Sequence, residues 1–373
     1  MSNFLVLGAG KMADGIVHDL VKRNHKIYLR DISLDALDKL RDKYSLWIKA
    51  QTDNLAIIHK DSIPDDVSVV ISTLPYSFNL MWSEECIRKG LHFLDLGGNN
   101  DVVAKQLALS KDASNNNVTI VPDCGLAPGV VSILAMNLLE KHGGLDTKDT
   151  YSIDIEVGGL PMKRDNELEY SIVFSANGLI NEYIEPSIVL YKGKLVEIPS
   201  MTGVVDTSFP WGFNKLEKFY TSGGASTLPA SLKNICRNVE YKTIRYPSHC
   251  EKMKFILSTF KHKRKELEQL LTASLPLDGP DVILLRVSLI YHGGSGCGGY
   301  SVIDEHTIID FATDGLTAMA RMTAFPAAII AQALAGGAIS KRGTLKQEEL
   351  FVGHTDYMIN QLKDRGISFL GDN

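Results

Sequence analysis

The sequence predicts an α/β chain: a doubly wound parallel sheet at the N-terminus, then an α+β region on an open antiparallel sheet, with C-terminal helices returning to the first domain. Three observations carry this. Short β-branched runs alternate with helical periodicity through residue 124, one strand–helix junction reads Gly-x-Gly-x-x-Ala, and beyond Pro128 the runs lengthen and alternate between Gly, Asn and Pro turns. With 373 residues the chain is long enough for more than one domain. We place a dinucleotide-binding domain at 1–124 with 316–373, and a substrate-binding and dimerisation domain at 125–315.

Phe4-Leu5-Val6-Leu7 opens the chain as a strand and runs into Gly8-Ala9-Gly10-Lys11-Met12-Ala13, a permitted form of the Rossmann dinucleotide fingerprint. Gly8 permits the tight turn, Gly10 lets backbone approach a pyrophosphate, and Ala13 lets the helix lie close on the strand. The helix, with Ile16, Val17, Leu20 and Val21 on one stripe, offers its N-terminal amides to the phosphates. Lys26 to Arg30 forms a second strand, and Asp31, 21 residues after Gly10, is placed to accept from the adenosine ribose. Asp31 favours NAD, because it would repel the extra phosphate of NADP; Arg30 beside it keeps NADP possible.

A strand over Val67 to Leu74 ends at Pro75, so Thr73, Leu74 and Pro75 are expected against the cofactor. A helix follows over Met81 to Lys89. The next strand, Leu91 to Leu96, stops at Gly97-Gly98, a helix covers Asp101 to Ser114, and Val118 to Val121 is a further strand before Pro122-Asp123. Ligands of such sheets bind at the carboxyl ends of strands, which makes Asp95, Gly97 and Asp123 candidates. Tyr151 to Val157 alternates strictly and reads as a half-exposed antiparallel strand. Further strands are expected at 170–175, 188–191, 239–246, 283–291 and 300–311, and the text turns helical from Leu316.

Hydrophobic residues make up 45% and charged residues 22%, as in ordinary globular proteins, and the net charge of −5 argues against a nucleic-acid partner. No apolar run reaches the length of a membrane span, and no basic stretch precedes the first apolar residues as in a secretory leader. Five cysteines, none in a Cys-x-x-Cys, argue for a reducing, cytoplasmic setting, and the histidines lack metal-ligand spacing. The glycine run 293–299 lacks the Lys-Ser/Thr of a phosphate loop and reads as a hairpin tip. Lys261 to Lys265, followed by Glu266 and Glu268, reads as a solvated helix.

Several strings together resemble a known family: Asp95-Leu96-Gly97-Gly98, Pro122-Asp123-Cys124-Gly125-Leu126-Ala127-Pro128-Gly129, Val157-Gly158-Gly159-Leu160-Pro161, Thr221 to Leu228 (TSGGASTL), Glu240 to Tyr246 with His249, and Thr317 to Arg321. Together they resemble the saccharopine dehydrogenase-like family, and within it most of all the L-lysine 6-dehydrogenase branch. The likeness runs from residue 3 to about 365. It implies a nucleotide domain, a sheet domain that mediates homodimers or higher homo-oligomers, and NAD-dependent oxidation of a carbon–nitrogen bond in a lysine-like amine. Ala127 stands where saccharopine-forming relatives carry an acid, which argues against a saccharopine substrate. The alternatives are a secondary amine such as saccharopine or carboxynorspermidine, a sugar or inositol oxidoreductase, which would carry Glu-Lys-Pro near the fifth strand, and a non-catalytic NAD-binding regulator.

Removing a hydride from the ε-carbon of lysine sets three tasks: hold the α-carboxylate, take a proton from the ε-ammonium, and admit a water to the imine, which releases ammonia and a semialdehyde that cyclises. Arg245 is the candidate carboxylate anchor. Lys242, His249 and Asp95 are the candidate catalytic residues. Asp123, Glu169, Tyr170, Thr227 and Arg321 are candidate substrate contacts; for Arg321 a structural salt bridge is the first reading. Lys242 and Arg245 are three apart, so both reach one site only if a bend intervenes, for example near Tyr246-Pro247.

Overall fold

A computed structural model describes residues 2–49, 55–57, 63–146, 150–277, 279–293 and 300–371. Its strands are β1 (Asn3–Leu7), β2 (Lys26–Arg30), β3 (Leu55–Ile57), β4 (Val69–Ser72), β5 (His92–Asp95), β6 (Thr119–Val121), β7 (Tyr151–Pro161), β8 (Ser187–Tyr191), β9 (Lys194–Ile198), β10 (Val205–Thr207), β11 (Leu216–Tyr220), β12 (Cys236–Arg245), β13 (Asp281–His292), β14 (Tyr300–Phe311) and β15 (Gly343–Thr344). Its helices are α1 (Lys11–Lys22), α2 (Leu34–Lys49), α3 (Asn79–Lys89), α4 (Asn100–Ala108), α5 (Ser110–Asn115), α6 (Val130–Lys141), α7 (Ala176–Ile184), α8 (Leu228–Ser231), α9 (His249–Thr259), α10 (Arg264–Ser274), α11 (Ala318–Ala335) and α12 (Asp356–Lys363).

The chain divides into two compact units, 1–133 with 320–365 and 134–319 with 366–373. The sequence reading set these borders at 124/125 and 315/316 and gave the whole C-terminus to the first domain. The tail belongs to the second unit, because Leu370 N donates to Thr307 O (2.8 Å) and Phe369 bridges Ile308 antiparallel.

The first unit is the doubly wound sheet, all parallel, in the order β3-β2-β1-β4-β5-β6-β15. The order reverses between β1 and β4, where such folds place their ligands. The sequence reading missed the short strands β3 and β15, and split one expected helix correctly in place but not in number, since α4 and α5 share it. Helix α1 lies against α11 at a position only glycine allows: a Cβ on Gly15 would stand 2.6 Å from Ala324 Cβ. By length and hydropathy α11 is apolar enough to cross a membrane, yet 78% of that window is buried, so its alanines and isoleucines serve the core.

The second unit is built on a mixed sheet, not the purely antiparallel one expected. Along the order β10-β11-β12-β7-β13-β14 the central pair β12–β7 is parallel and the others are antiparallel, with β8 and β9 attached through β12. Being central, β7 is more buried than its alternation implied. Its charged face is covered as well: Glu156 is 4% exposed and bonds Thr207 Oγ1 (2.7 Å) and Arg286 Nη1 (3.1 Å). Gly158 lets β12 close up, because a Cβ there would stand 2.8 Å from Ile244 Cβ. Residues 170–175 are not a strand; they lead to Ser175, whose Oγ accepts from Gly178 N (3.0 Å) and caps α7. The glycine run falls mostly on 294–299, outside the described residues, between the antiparallel strands β13 and β14. The basic run lies at the exposed start of α10.

Candidate functional site

The nucleotide cradle forms in the first unit at the sheet's switch point. Gly8 leaves β1 with φ +100°, and a Cβ there would stand 2.4 Å from Thr73 Oγ1. Thr73, at the end of β4, donates to Leu7 O from its amide and its hydroxyl (2.9 Å each), so this strand end is held shut. Gly10 differs: its φ is −84° and a Cβ there would meet nothing within 4 Å. The protein's own packing does not require glycine at 10; the open space above it is what a pyrophosphate would fill. Gly10 is also the N-cap of α1 and no side chain caps that terminus. Lys11 and Met12 begin the helix, and Ala13 is fully buried beneath it. Asp31 accepts from Ala9 N (Oδ2, 2.7 Å) and Ser33 N (Oδ1, 2.8 Å), so its carboxylate pins the glycine turn to the end of β2. Leu74 and Pro75 continue from Thr73 beside this turn. These residues fit a dinucleotide.

Asp95 was expected to touch ligand; it is a buried staple instead. It has no exposed surface, and its carboxylate accepts from Gly97 N (2.8 Å) and Gln106 Nε2 (2.6 Å). Burial pushes its carboxyl up to about 6 against the pull of those donors. Its backbone carbonyl accepts from Cys124 N (2.7 Å), tying the loop after β5 to the loop after β6. Asp123, 3% exposed and with φ +63°, packs its Oδ1 against Gly97, where a Cβ would come within 2.0 Å, which explains the glycine there. Arg321, on α11, is 3% exposed, lies over the Phe325 ring (5.2 Å) and is already partnered.

The second unit brings a polar cluster to the end of β12. Arg245 shares a strand face with Tyr241 and Thr243, and is 4% exposed. Its Nε donates to Tyr183 Oη (2.8 Å) and its Nη1 to Ile244 O (2.8 Å). His249 Nδ1 lies 2.9 Å from Leu168 O, an acceptor, so that nitrogen carries the proton and Nε2 accepts from Tyr183 Oη at 2.9 Å. The result is a directed chain from Arg245 through Tyr183 to His249. Burial and then the Arg245 charge press the His249 imidazole down to about 3, so it is neutral. Burial works against the Arg245 cation, but Tyr183, Tyr170 and Glu182 outweigh it and hold its pKa above the ordinary value. His249 is set by the start of α9, whose amides at Ser248 (2.9 Å) and Cys250 (2.7 Å) bond the buried Glu217 carboxylate.

Four other expectations are corrected here. Lys242 faces the opposite side of β12 from Arg245, bonded to Glu240 (2.7 Å) and over the Tyr220 ring (4.5 Å). The irregularity in β12 falls between Cys236 and Asn238, so nothing bends the strand between 242 and 245. His249 is 1% exposed with both ring nitrogens engaged, by Tyr183 Oη and Leu168 O, so neither nitrogen is open to a substrate proton. Glu169 has φ +47° and gives both oxygens to Arg164 Nη2 (2.7 Å each), so it has no need of a substrate amine. Thr227 stands at the N-cap position of α8 and is already partnered. The small residues before it admit a protein ring: a Cβ on Gly224 would lie 2.1 Å from Tyr241 Cζ. Tyr170 does belong to the cluster, with Arg245 over its ring at 5.1 Å and its hydroxyl buried without a hydrogen-bond partner.

The sequence reading missed Glu182 and Tyr183. Their signal was a Glu-Tyr pair inside the apolar helical stretch Leu179–Ile184. Glu182 Oε2 stands 3.8 Å from Arg245 Nη2, its side chain is 27% exposed, and burial pushes its carboxyl up to about 7 against the pull of Arg245. No group of three or more His, Cys, Asp or Glu suited to a metal occurs among the described residues.

A switch-point cradle beside an unfilled glycine, joined in one chain to a mixed-sheet unit with a buried arginine cluster, defines a two-unit dinucleotide-binding protein. The chain belongs to the saccharopine dehydrogenase family: residues 4–121 match its NADP binding domain and residues 125–367 its C-terminal domain. The cofactor is NAD or NADP. Among solved structures, saccharopine dehydrogenase (L-Glu forming) from Saccharomyces cerevisiae is similar with a TM-score of 0.75 at 17% identity, over 99% of this chain and 99% of that one. The homospermidine synthase from Legionella pneumophila, in complex with NAD, is similar at 0.67 and 12% identity, over 100% and 93%. At these identities the likeness is one of fold. The mitochondrial alpha-aminoadipic semialdehyde synthase of Rattus norvegicus is 24% identical over 217 residues, 56% of this chain and 22% of that protein. That of Mus musculus is 24% identical over 214 residues. The chain thus matches about a fifth of the length of these curated relatives.

Proposed function

We propose that the protein is an NAD-dependent oxidoreductase that oxidises the carbon–nitrogen bond of an amino-acid amine, in particular the ε-amine of L-lysine, with release of ammonia and a semialdehyde that cyclises. The observation that carries this is the state of Arg245. Two of its donors are fixed by Tyr183 and Ile244 O, while Nη2 has a carboxylate only at 3.8 Å. A guanidinium oriented in this way is a ready anchor for a substrate carboxylate. Tyr183 and His249 keep it in place, and the neutral imidazole adds no competing charge.

When bound, the nicotinamide supplies the hydride acceptor. Gly10 and the start of α1 are the proposed seat of the pyrophosphate, and Asp31 the acceptor from the ribose, which favours NAD. Among the expected proton acceptors, Lys242 is on the wrong face and His249 and Asp95 are already bonded. We therefore assign the deprotonation of the ε-ammonium, with its ordinary pKa of about 10.4, to mildly alkaline solvent.

A secondary amine is the second reading. It is favoured by the likeness over nearly the full chain to a protein named saccharopine dehydrogenase. The test is the absorbance of reduced nicotinamide with NAD or NADP against L-lysine, saccharopine, ornithine and carboxynorspermidine. Reduction with lysine and NAD, with ammonia released, is the expected result. Reduction with saccharopine or carboxynorspermidine alone moves the assignment to the second reading. Tight NAD binding without turnover on any amine leaves a non-catalytic NAD-binding regulator.

A further inference from the structure

Residues 252–265 join α9 to α10 and carry six lysines and arginines with no acidic residue, in a chain whose net charge is −5. Lys254, Lys261, Lys263 and Lys265 are exposed, and their side chains make no ion pair or hydrogen bond among the described residues. Several exposed lysines elsewhere are paired: Lys39 with Asp35 (2.7 Å), Lys163 with Asp165 (2.9 Å) and Lys341 with Glu349 (3.4 Å). Lys263 is the N-cap of α10, and Arg264 and Lys265 open its first turn, where the helix dipole disfavours cations and no side chain caps the end. An acid or hydroxyl there would suit the helix better, so capping does not account for these charges. One apolar ring stands in the same segment. Phe255 is 71% exposed, more than any other phenylalanine among the described residues. It lies one turn from the end of α9 beside Lys254, and its carbonyl accepts from Ser258 Oγ (2.9 Å) and Thr259 Oγ1 (2.7 Å), so the ring stands on a fixed backbone. Arg264 is turned the other way: its Nη2 donates to Asn181 Oδ1 and to Asn177 O (3.4 Å), both on α7.

We propose that this α9–α10 corner docks the protein reversibly on an anionic lipid bilayer, with Phe255 set into the head-group layer and Lys254, Lys261, Lys263 and Lys265 against the lipid phosphates and carboxylates. All five residues lie within about two helical turns of the corner. The free cations are lysines, mobile point charges that follow head groups without a fixed geometry. The one arginine, whose fork would read a defined anion, is committed to α7. The ring projects into solvent beside these charges, where the acyl boundary of a bilayer would take it out of water. A single-stranded nucleic acid would call for several stacking rings along a basic groove, and this segment has one exposed ring. The remainder of the chain is more acidic than the whole, which disfavours a long polyanion beyond the corner. Four lysines and one ring make a salt-dependent anchor that releases as readily as it docks. The inference stands apart from the amine reading, because it uses no residue of the Arg245 cluster.

The test is flotation of the full-length protein with vesicles of phosphatidylcholine alone, or with about one-third phosphatidylserine, at about 0.1 M and about 0.5 M salt. Binding to the anionic vesicles at the lower salt only is the expected result. Lys261→Gln should weaken it about fivefold, and Lys261→Glu, Lys263→Glu and Lys265→Glu combined should abolish it. Phe255→Ser should weaken it about tenfold and leave the salt dependence in place. Lys39→Gln, on α2, should change nothing. Lys263→Asp separates docking from folding: vesicle binding should fall while the melting temperature holds or rises, because an acid replaces a cation at the N-cap. NAD affinity should not move in any of these variants. Flotation with neutral vesicles as strong as with anionic ones, none with anionic vesicles, or full binding by the triple variant overturns the proposal. A lower melting temperature in Lys263→Asp overturns it too, since the charge would then serve the fold. Binding of single-stranded oligothymidylate or polyglutamate without flotation gives the corner to another class of partner and likewise overturns it.

Discussion

Tyr183 Oη stands 2.8 Å from Arg245 Nε and accepts its proton while donating its own to His249 Nε2 at 2.9 Å. One hydroxyl thus fixes the plane of a guanidinium and satisfies the acceptor nitrogen of an imidazole whose tautomer Leu168 O sets. It does so at the edge of an apolar core that includes Tyr170, Phe219, Cys250 and Met253.

Replacing that hydroxyl isolates its effect. Tyr183→Phe keeps the ring but leaves Arg245 Nε and His249 Nε2 without their partner in a buried place. Stability should fall by about 1–3 kcal/mol, and the KM for the amino-acid substrate should rise about tenfold as Arg245 loses its orientation. NAD affinity should not move. Thermal unfolding and steady-state kinetics check the two effects.

The two fingerprint glycines should separate stability from binding. Gly8→Ala forces φ +100° on a side chain and drives a Cβ to 2.4 Å from Thr73 Oγ1, so it should lower the melting temperature. Gly10→Ala meets nothing within 4 Å and should fold normally while losing NAD affinity. If Gly10→Ala binds NAD as well as the unaltered protein, the pyrophosphate does not lie over residue 10.

Opposite faces of β12 predict opposite kinetics. Arg245→Ala should raise the KM for the substrate strongly. Lys242→Met, on the other face with Glu240, should leave both kinetic constants within about threefold, in keeping with the small worth of a partly exposed ion pair. A large KM effect from Lys242→Met would return that residue to the site.

The buried imidazole gives a spectroscopic prediction. With its folded pKa near 3, below the ordinary 6.5, His249 stays neutral as pH falls from 7 to 4.5. Its contribution to stability is present above the unfolded pKa and is lost as pH falls from about 6.5 toward 3. The carbon-13 chemical shift of its ring should be flat over pH 5–8. A midpoint near 6.5 would show that the Tyr183 bond is not held.

Glu182 titrates the other way. Its carboxyl, raised to about 7, faces Arg245, Tyr170, Tyr183 and Tyr241. A carboxyl raised above its unfolded value of about 4.5 favours folding while protonated, so stability should fall as pH rises from about 4.5 through 7, and Glu182→Gln should lose that slope. Thermal unfolding followed by calorimetry at pH 5 and 8 reads both.

The nucleotide cradle was legible because it is nearly contiguous. Gly8, Gly10, Ala13 and Asp31 span one strand, one helix and the next strand, so local period and turn chemistry position them. The sequence also held the warning that settled Lys242: three residues on a strand change the face. What it did not hold was depth. Asp95 and Asp123 sit at strand ends as expected, but only packing shows that Gln106, Gly97 and Cys124 have already claimed Asp95.

By itself, then, the sequence determined the dinucleotide turn, which rests on neighbours within one βαβ unit, and the family likeness, which rests on short contiguous strings spread from Asp95 to Arg321. Only the tertiary structure decided the Arg245 cluster. Leu168, Tyr170, Glu182, Tyr183, Arg245 and His249 come from a loop, a helix, a strand end and another helix start, and no periodicity links them. Their meeting is fixed by long-range packing of α7 and α9 about an apolar core, and the protonation states that matter follow from burial, which a sequence does not display.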